Sequence, residues 1–482
     1  MASVARLMAC VILASTAVIG LRTAVSSEGF CGVRIHHNIM RRLNGSVMDA
    51  RWWVLPVVYA VLFLGVVLPV AVGWRATEAS FDEGRCYLPA ITQLRAKFPS
   101  VDLLQDSLSA SPPGYSHLLA FLSLATGDSL RAHRAWHAVL SLVGAIFVLW
   151  LAARLTGLQT VAVAAMLPMV SSSYYLKSAA QLTTDNLALA LTFSALLLVF
   201  FAQDRPRSAF VAGALGLACV WVRHNAIWLA APMALKSLLL LSRRNRPTAV
   251  AWVIAALAML LVVAVFVWAW GGLVPPIWSR AHEAPSLSSL VYACALAGIF
   301  GAVFFPAGTR MDIRSSDLLV ALAGVVVGAG LFLLSDMAPS YEAGRFGGPL
   351  WALAGQIPLV AGRAYIFLPL AAAGAGLLAL AAWRLFARSP AFGLLWTSSL
   401  CAWLATGIVN RQIFHRYYEG PILGFWGLWI LLMAFGDSAR FAKSRCVLLY
   451  LLAAALFAAG AYSMLTSPTG FTAPLNPSLL NR

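Results

Sequence analysis

The sequence predicts an all-α integral membrane protein of about 11–14 transmembrane helices, with further helices lying at the interface in its first external loop. Three observations carry this. Of 482 residues, 61% are hydrophobic and only 11% charged, with a mean hydropathy of +0.83, whereas an ordinary soluble domain is about 25% charged. Apolar runs near the length that crosses a hydrocarbon core recur along the chain. Between them, Lys and Arg alternate from one side to the other. This composition excludes a soluble globular enzyme, a disordered chain and a free nucleic-acid binder. The seven cysteines are scattered without metal-ligand spacing and several fall inside apolar runs, so they read as small buried hydrophobes.

The runs are 52–73, 133–153, 158–176, 186–202, 208–222, 225–241, 249–270, 287–305, 317–334, 364–383, 391–409, 421–435 and 446–463. Backbone groups in lipid must be paired within the segment, so each run is read as a helix. Arg41, Arg42 and Arg51 precede the first. Arg154, Arg205/Arg207, Arg243/Arg244/Arg246, Arg310/Arg314, Arg384/Arg388 and Arg440/Lys443/Arg445 occupy every second later break and mark the cytoplasmic side. The other breaks mix acids, bases and aromatics and form the external side. The formal charge of +17 is therefore mostly an orientation signal, and says little about an acidic partner.

Three segments follow from this. Residues 1–47 are an N-terminal extension, signal-like or an over-extended start. Residues 48–463 are the polytopic domain, including the external loop 74–132, where Ile91–Phe98 and Pro112–Leu124 are too short to cross and read as interfacial helices. Residues 464–482 are an external tail.

Four external constellations could carry chemistry. Ser80-Phe81-Asp82-Glu83 sets two carboxylates close to the membrane, either as a general base and its neighbour or as solvated acids at a helix start. Asp185 in Gln181-Leu182-Thr183-Thr184-Asp185-Asn186 is either a helix cap or a second acid facing the same cavity. Arg223-His224-Asn225 fills a very short break, where Arg either forks onto a phosphate or snorkels outward; Arg280-Ala281-His282-Glu283 has the same two readings. In Asn410-Arg411-Gln412-Ile413-Phe414-His415-Arg416-Tyr417-Tyr418-Glu419-Gly420-Pro421, cationic forks beside aromatic rings suit a lipid-linked phosphate with sugars stacked nearby, or an aromatic belt with anionic headgroups.

The order of these features resembles a known superfamily. A first span, an external Asp82-Glu83, then Ser111-Pro112-Pro113-Gly114-Tyr115 and a further acid at Asp185 are similar to the GT-C polytopic glycosyltransferases. Within them the chain looks most like the dolichyl-phosphate-glucose-dependent α-1,2-glucosyltransferases, which add the terminal glucose of the lipid-linked oligosaccharide. That likeness rests on Phe81-Asp82-Glu83 with Leu88-Pro89-Ala90 and Gln93, on Asn225-Ala226-Ile227-Trp228, on Gly271-Gly272 before His282-Glu283-Ala284, and on Arg416-Tyr417-Tyr418 with Pro421. Where that family has a D-N-R-H-Y loop, this chain has Ser340-Tyr341-Glu342-Ala343-Gly344-Arg345-Phe346. The GT-C enzymes that glycosylate protein or lipid A share Asp-Glu and Pro-Pro, and are the alternative.

The resemblance implies an inverting hexosyl transfer, with glucose as the expected sugar. The donor is a polyprenyl-phosphate sugar. The acceptor is a lipid-linked glycan, a lipid or a protein, and the active face is periplasmic or lumenal, in a bacterial inner membrane or the endoplasmic reticulum. Asp82 is the expected base, with Glu83 and Asp185 beside it. Arg223, Arg411 and Arg416 are expected on the donor phosphate. His224, Asn225, His282, Glu283, Arg345, His415, Tyr417 and Tyr418 are expected on substrate. The partners are these substrates and membrane lipids, with no nucleic acid. No cofactor is expected, and a divalent metal between facing acids is not favoured. A transporter or polyprenyl-lipid flippase is the rival class, but the ionisable residues cluster at external helix ends and there is no half-to-half repeat.

Overall fold

The computed structural model describes residues 52–73, 79–103, 106, 108–279, 285–309, 312–340, 343–410, 412–435 and 443–466. The extension 1–47, most of the tail, His282, Glu283 and Arg411 lie outside the described residues. All thirteen predicted apolar runs are helical. In chain order the elements are α1 Val54–Ala71, α2 Leu88–Lys97, α3 Gly114–Thr126, α4 Leu130–Thr156, α5 Gln159–Val170, α6 Ser173–Ala179, α7 Asp185–Phe201, α8 Pro206–Val222, α9 Ala230–Ser242, α10 Arg246–Trp270, α11 Ser288–Gly308, α12 Ser315–Leu334, α13 Pro349–Gln356, α14 Phe367–Arg388, α15 Pro390–Ile408, α16 Glu419–Ala434 and α17 Lys443–Thr466. Among the described residues, nine helices are long and apolar enough to cross a membrane alone, counting α9 with the 3₁₀ turn that leads into it. The protein is an integral multi-pass membrane protein.

The run 158–176, expected as one span, is two helices. α5 carries Pro168 and stops at Val170, and Ser172 then caps α6 by accepting from the Tyr175 N–H at 3.2 Å. The Val170 carbonyl left open by the break takes the Tyr59 hydroxyl at 2.7 Å. α2 and α3 form where interfacial helices were expected. In the Pro112-Pro113-Gly114-Tyr115 turn the glycine lies against Trp221, so that a Cβ would run into its ring and carbonyl, and Tyr115 reaches His137 at 2.9 Å. That turn docks α3 onto α8 and α4.

Apolar rows remain exposed along the outer helices: Leu318, Leu322 and Val326 on α12, and Val250, Ile254, Leu257 and Leu261 on α10. Such stripes would aggregate in water and belong against lipid. α16 differs. It is buried on nearly every face, from Ile422 through Leu432, and packs between α5 and α11. A helix apolar all round is a central one, so α16 delivers its N-terminal turn to the middle of one end of the bundle.

α11, α12 and α14 approach closely through glycine. A Cβ on Gly374 would overlap the Cys294 carbonyl, and one on Gly328 would meet the Ala371 carbonyl. Helices in lipid associate through such small-residue contact. Gly374→Val is expected to cost about 1–3 kcal/mol through overpacking, read as a lower thermal midpoint in detergent.

The basic breaks lie at the opposite end from this docking. There Lys236 pairs with Asp204 at 2.8 Å, Arg384 with Asp317 at 2.6 Å, and Arg388 donates to the Phe435 carbonyl at 2.8 Å. At the other end the loop 335–363 folds back on the bundle. Arg345 is its hub, donating to Asp336 and to the Ala338 carbonyl at 3.0 Å each and to the Ser288 hydroxyl at 3.3 Å.

Candidate active site

After α1 the chain enters a wide π-helical turn over Glu83–Tyr87, which runs directly into α2. The two adjacent acids at its start have opposite surroundings. Glu83 points inward and is fully buried. Its Oε1 accepts from Arg134 Nε at 2.8 Å and from the Leu182 N–H at 2.9 Å. Its Oε2 accepts from Arg134 Nη2 at 2.6 Å and from the Ser80 N–H at 2.7 Å. Burial pushes this carboxyl up. The Arg134 hydrogen bonds and charge, with the Ser80 and Leu182 amides, more than reverse that and hold it below the ordinary 4.5. Glu83 thus ties three segments together: the first external loop, the first turns of α4, and the loop before α7.

Asp82 points the other way and keeps a third of its side chain exposed, at 33%. Its Oδ2 accepts from Arg416 Nη1 at 2.7 Å, and among the described residues its Oδ1 has no hydrogen-bond donor. Arg416 also lies 3.8 Å from Asp185 Oδ2 through Nε. The other oxygen of Asp185 pairs with Arg223. Asp82, Arg416, Asp185 and Arg223 therefore form an alternating chain of four charges. Tyr417 lies beneath both cations, with its ring centroid 4.5 Å from the Arg223 guanidinium carbon and 5.3 Å from that of Arg416.

Local sequence explains each placement. Asp185 opens α7, but its carboxylate is not a helix cap; Thr184 holds the cap position, without a side-chain cap bond. Asp185 lies in the lining of the cleft beneath the charges. Arg223 ends α8 in extended conformation, before the 3₁₀ turn His224–Leu229, so its side chain leaves the helix sideways. Arg416 sits in the 3₁₀ turn His415–Tyr417 that leads into the central helix α16.

Beneath the charges lies a cleft open to the surface. Its lining joins the charges of Asp185, Arg223 and Arg416 to the aromatic rings of Tyr174, Tyr417, Phe193, Trp228 and Trp403, with polar Asn186 and Thr192 among them. From Asp185 to Phe193 along α7 the cleft descends about 12 Å at 1.5 Å per residue. Charges beside aromatic and apolar side chains in one cleft suit the head of an amphiphile. Two acids and two guanidiniums already neutralise one another there, so a cation between Asp82 and Asp185 would have to displace Arg416.

Of the expected site residues, Asp185, Arg223, Asn225, Arg416 and Tyr417 line the cleft, and Asp82 adjoins it through Arg416. Glu83 stands behind them as an anchor. His224 turns edge-on to Trp270, with centroids 6.1 Å apart. Arg345 is held in the 335–363 loop by Asp336 and Ser288, outside the cleft lining. His415 and Tyr418 are buried behind the wall, His415 against Tyr292 and Tyr418 against Tyr292 and Trp403. Sequence reasoning missed Arg134, Tyr174, Asn186 and Trp403. Arg134 carried a usable signal, an arginine in the first turn of an apolar run. Trp403 carried none that separates a cleft wall from core.

Residues 110–270, about a third of the chain, match the model of the family described as dolichyl-phosphate-mannose-protein mannosyltransferase. No curated protein matches the chain. Two crystal structures of ArnT from Cupriavidus metallidurans are similar to it at 16% identity. One, bound to undecaprenyl phosphate, has a TM-score of 0.43 and covers 88% of this chain and 78% of its own. The other, in the apo state, has a TM-score of 0.34 and covers 79% and 78%. The family match spans the stretch that supplies Asp185 and Arg223 to the cleft, and on it the chain is a polyprenyl-phosphate-sugar-dependent membrane glycosyltransferase.

Proposed function

We propose that the protein transfers a hexose, with inversion, from a polyprenyl-monophosphate sugar to an acceptor hydroxyl at the periplasmic or lumenal face. The observation that carries this is Asp82, with one carboxylate oxygen on Arg416 and the other without a donor among the described residues, next to a cleft lined by charges, aromatic rings and apolar side chains. The acceptor oxygen attacks the anomeric carbon from the Asp82 side, and its proton passes to Oδ1. The bond from the anomeric carbon to the phosphate oxygen breaks, and the lipid phosphate leaves with an added negative charge. Arg416 and Arg223 are the groups placed to receive that charge. The polyprenyl chain descends between Phe193, Trp228 and Trp403. Glu83 acts through position alone, holding Asp82 and the Asp185 loop in register. Arg411, His282 and Glu283 remain proposals from the sequence pattern.

For the sugar and acceptor, two readings divide. The motif order around Asp82 and Arg416 supports glucose and a lipid-linked glycan. The family match supports mannose and a protein, and a specific contact favours it: Arg345, in the place of the glucosyl family's recognition loop, is committed to Asp336, Ala338 and Ser288. Detergent-purified protein offered polyprenyl-phosphate glucose and polyprenyl-phosphate mannose in parallel, with glycan-lipid, lipid and peptide acceptors, decides between them. Lipid movement across liposomes with no new glycosidic bond from any donor would overturn the transferase reading in favour of a flippase.

Arg416→Ala tests the phosphate role. Loss of a charge-assisted contact is worth about 1.5–3 kcal/mol, so kcat/KM for the donor is expected to fall about ten- to a hundredfold with the thermal midpoint nearly unchanged. Unaltered donor KM and kcat would remove Arg416 from the site.

A further inference from the structure

Behind the cleft wall lies a second polar network that the proposed reaction does not use. Glu419 heads α16 and is only 2% exposed. It accepts the Ser173 hydroxyl at 3.2 Å and the Tyr174 N–H at 3.0 Å, both from α6. Its Oε2 lies 3.8 Å from His415 Nε2. On the far side of that imidazole, Nδ1 lies 2.5 Å from the Tyr292 hydroxyl. The Tyr292 ring stacks on Trp351 at 5.0 Å, and Trp351 Nε1 donates to the Ile413 carbonyl at 3.0 Å. The Tyr174 ring covers His415, with centroids 4.9 Å apart.

A buried carboxylate is expensive unless its partners are fixed, and the partners of Glu419 belong to two segments 246 and four residues away. One is α6, whose Tyr174 lines the cleft. The other is the turn whose next residue is Arg416. His415 is hydrogen-bonded at Nδ1 and covered on one face, while its Nε2 makes no hydrogen bond among the described residues and faces the Glu419 carboxylate at 3.8 Å, so the carboxylate fixes the side of the ring that adjoins Arg416 by charge and packing.

We propose that Glu419 is a positioning residue for the donor phosphate: through His415 and Tyr174 it sets the Arg416 guanidinium against the opposite wall of the cleft. This rests on Arg416 as a phosphate-binding group. A double-mutant cycle tests it, with undecaprenyl monophosphate titrated in detergent and read by the fluorescence of the cleft tryptophans. Glu419→Gln is expected to weaken binding about tenfold, and Glu419→Gln with Arg416→Ala to bind no more weakly than Arg416→Ala alone, because the two act as one unit. Tyr292→Phe, which removes only the hydroxyl behind His415, is expected to weaken binding in the same direction. The proposal is overturned if Glu419→Gln and Tyr292→Phe both bind within about twofold of wild type, or if the losses multiply as for independent sites. Should Glu419→Gln fail to fold, Tyr292→Phe takes its place in the cycle. Wild-type protein that binds the lipid phosphate but transfers no sugar would overturn the transferase reading while the cycle still decides Glu419; wild type that does not bind it overturns both.

Discussion

Asp82→Asn is expected to lower sugar transfer by about 100- to 10,000-fold, the contribution typical of a positioned general base. Amide and carboxylate have nearly the same shape, and the oxygen of the substituted amide can still accept from Arg416, so insertion and thermal midpoint should stay close to wild type. What is lost is the lone pair on Oδ1 that takes the acceptor proton. Donor binding should change much less than kcat, because the phosphate-facing groups are Arg416 and Arg223. Single-turnover measurement with a bound donor separates these effects. Near-normal turnover in the purified variant would remove Asp82 from the reaction and leave Asp185, already shared by two guanidiniums, as the remaining acid.

Arg134→Met is expected to have the largest effect on stability. Removing one partner of a buried ion pair costs about 3–5 kcal/mol because the other charge is left unpaired. Glu83 would keep only the Ser80 and Leu182 amides. The protein should extract poorly and show a sharply lower thermal midpoint, and adding Glu83→Gln should recover part of the loss, since a glutamine oxygen can still accept an amide. Full stability of the single variant would show that the pair is not needed. The same pair predicts an acid limit. The folded carboxyl is held below its ordinary 4.5, so the native state binds fewer protons than the unfolded one between the two values. Its stabilisation is complete above about 4.5 and is lost as pH falls through the lower folded value. A thermal-midpoint series from pH 7 downward should decline in that window, and the decline should shrink in the Glu83→Gln variant.

How much of this was legible beforehand differs between elements. Every apolar run became helix, because the cost of unpaired backbone in lipid is met residue by residue within the segment. The break at Ser171-Ser172 was less visible. Two serines do not lower window hydropathy enough to split a run, and the break is stabilised by the Tyr59 hydroxyl, 111 residues away. At the site, Arg416, like Arg411, stood out as a cation where topology alone did not call for one, while Asp82, Asp185 and Arg223 each had a purely structural reading that local sequence could not separate from a functional one. The adjacent Asp82 and Glu83 were indistinguishable by composition. One faces the cleft and the other a buried arginine, because Glu83 meets Arg134 in α4 while Asp82 meets Arg416. Arg345 drew notice by its place in a loop, yet its fork is taken by Asp336 and Ser288.

By itself the sequence determined the membrane class, the helical segments, the alternation of basic with mixed-charge loops and a short set of candidate ions in the latter. These depend on transfer free energies that add along the chain, so neighbouring residues suffice to read them. Only the tertiary structure decided which ion meets which. Asp82 and Arg416 are 334 residues apart and touch at 2.7 Å, and Ser173 and Glu419 are 246 apart. A charge pair depends steeply on separation and burial, and both were set by the docking of α4, α7 and the central helix α16, which no local pattern encodes.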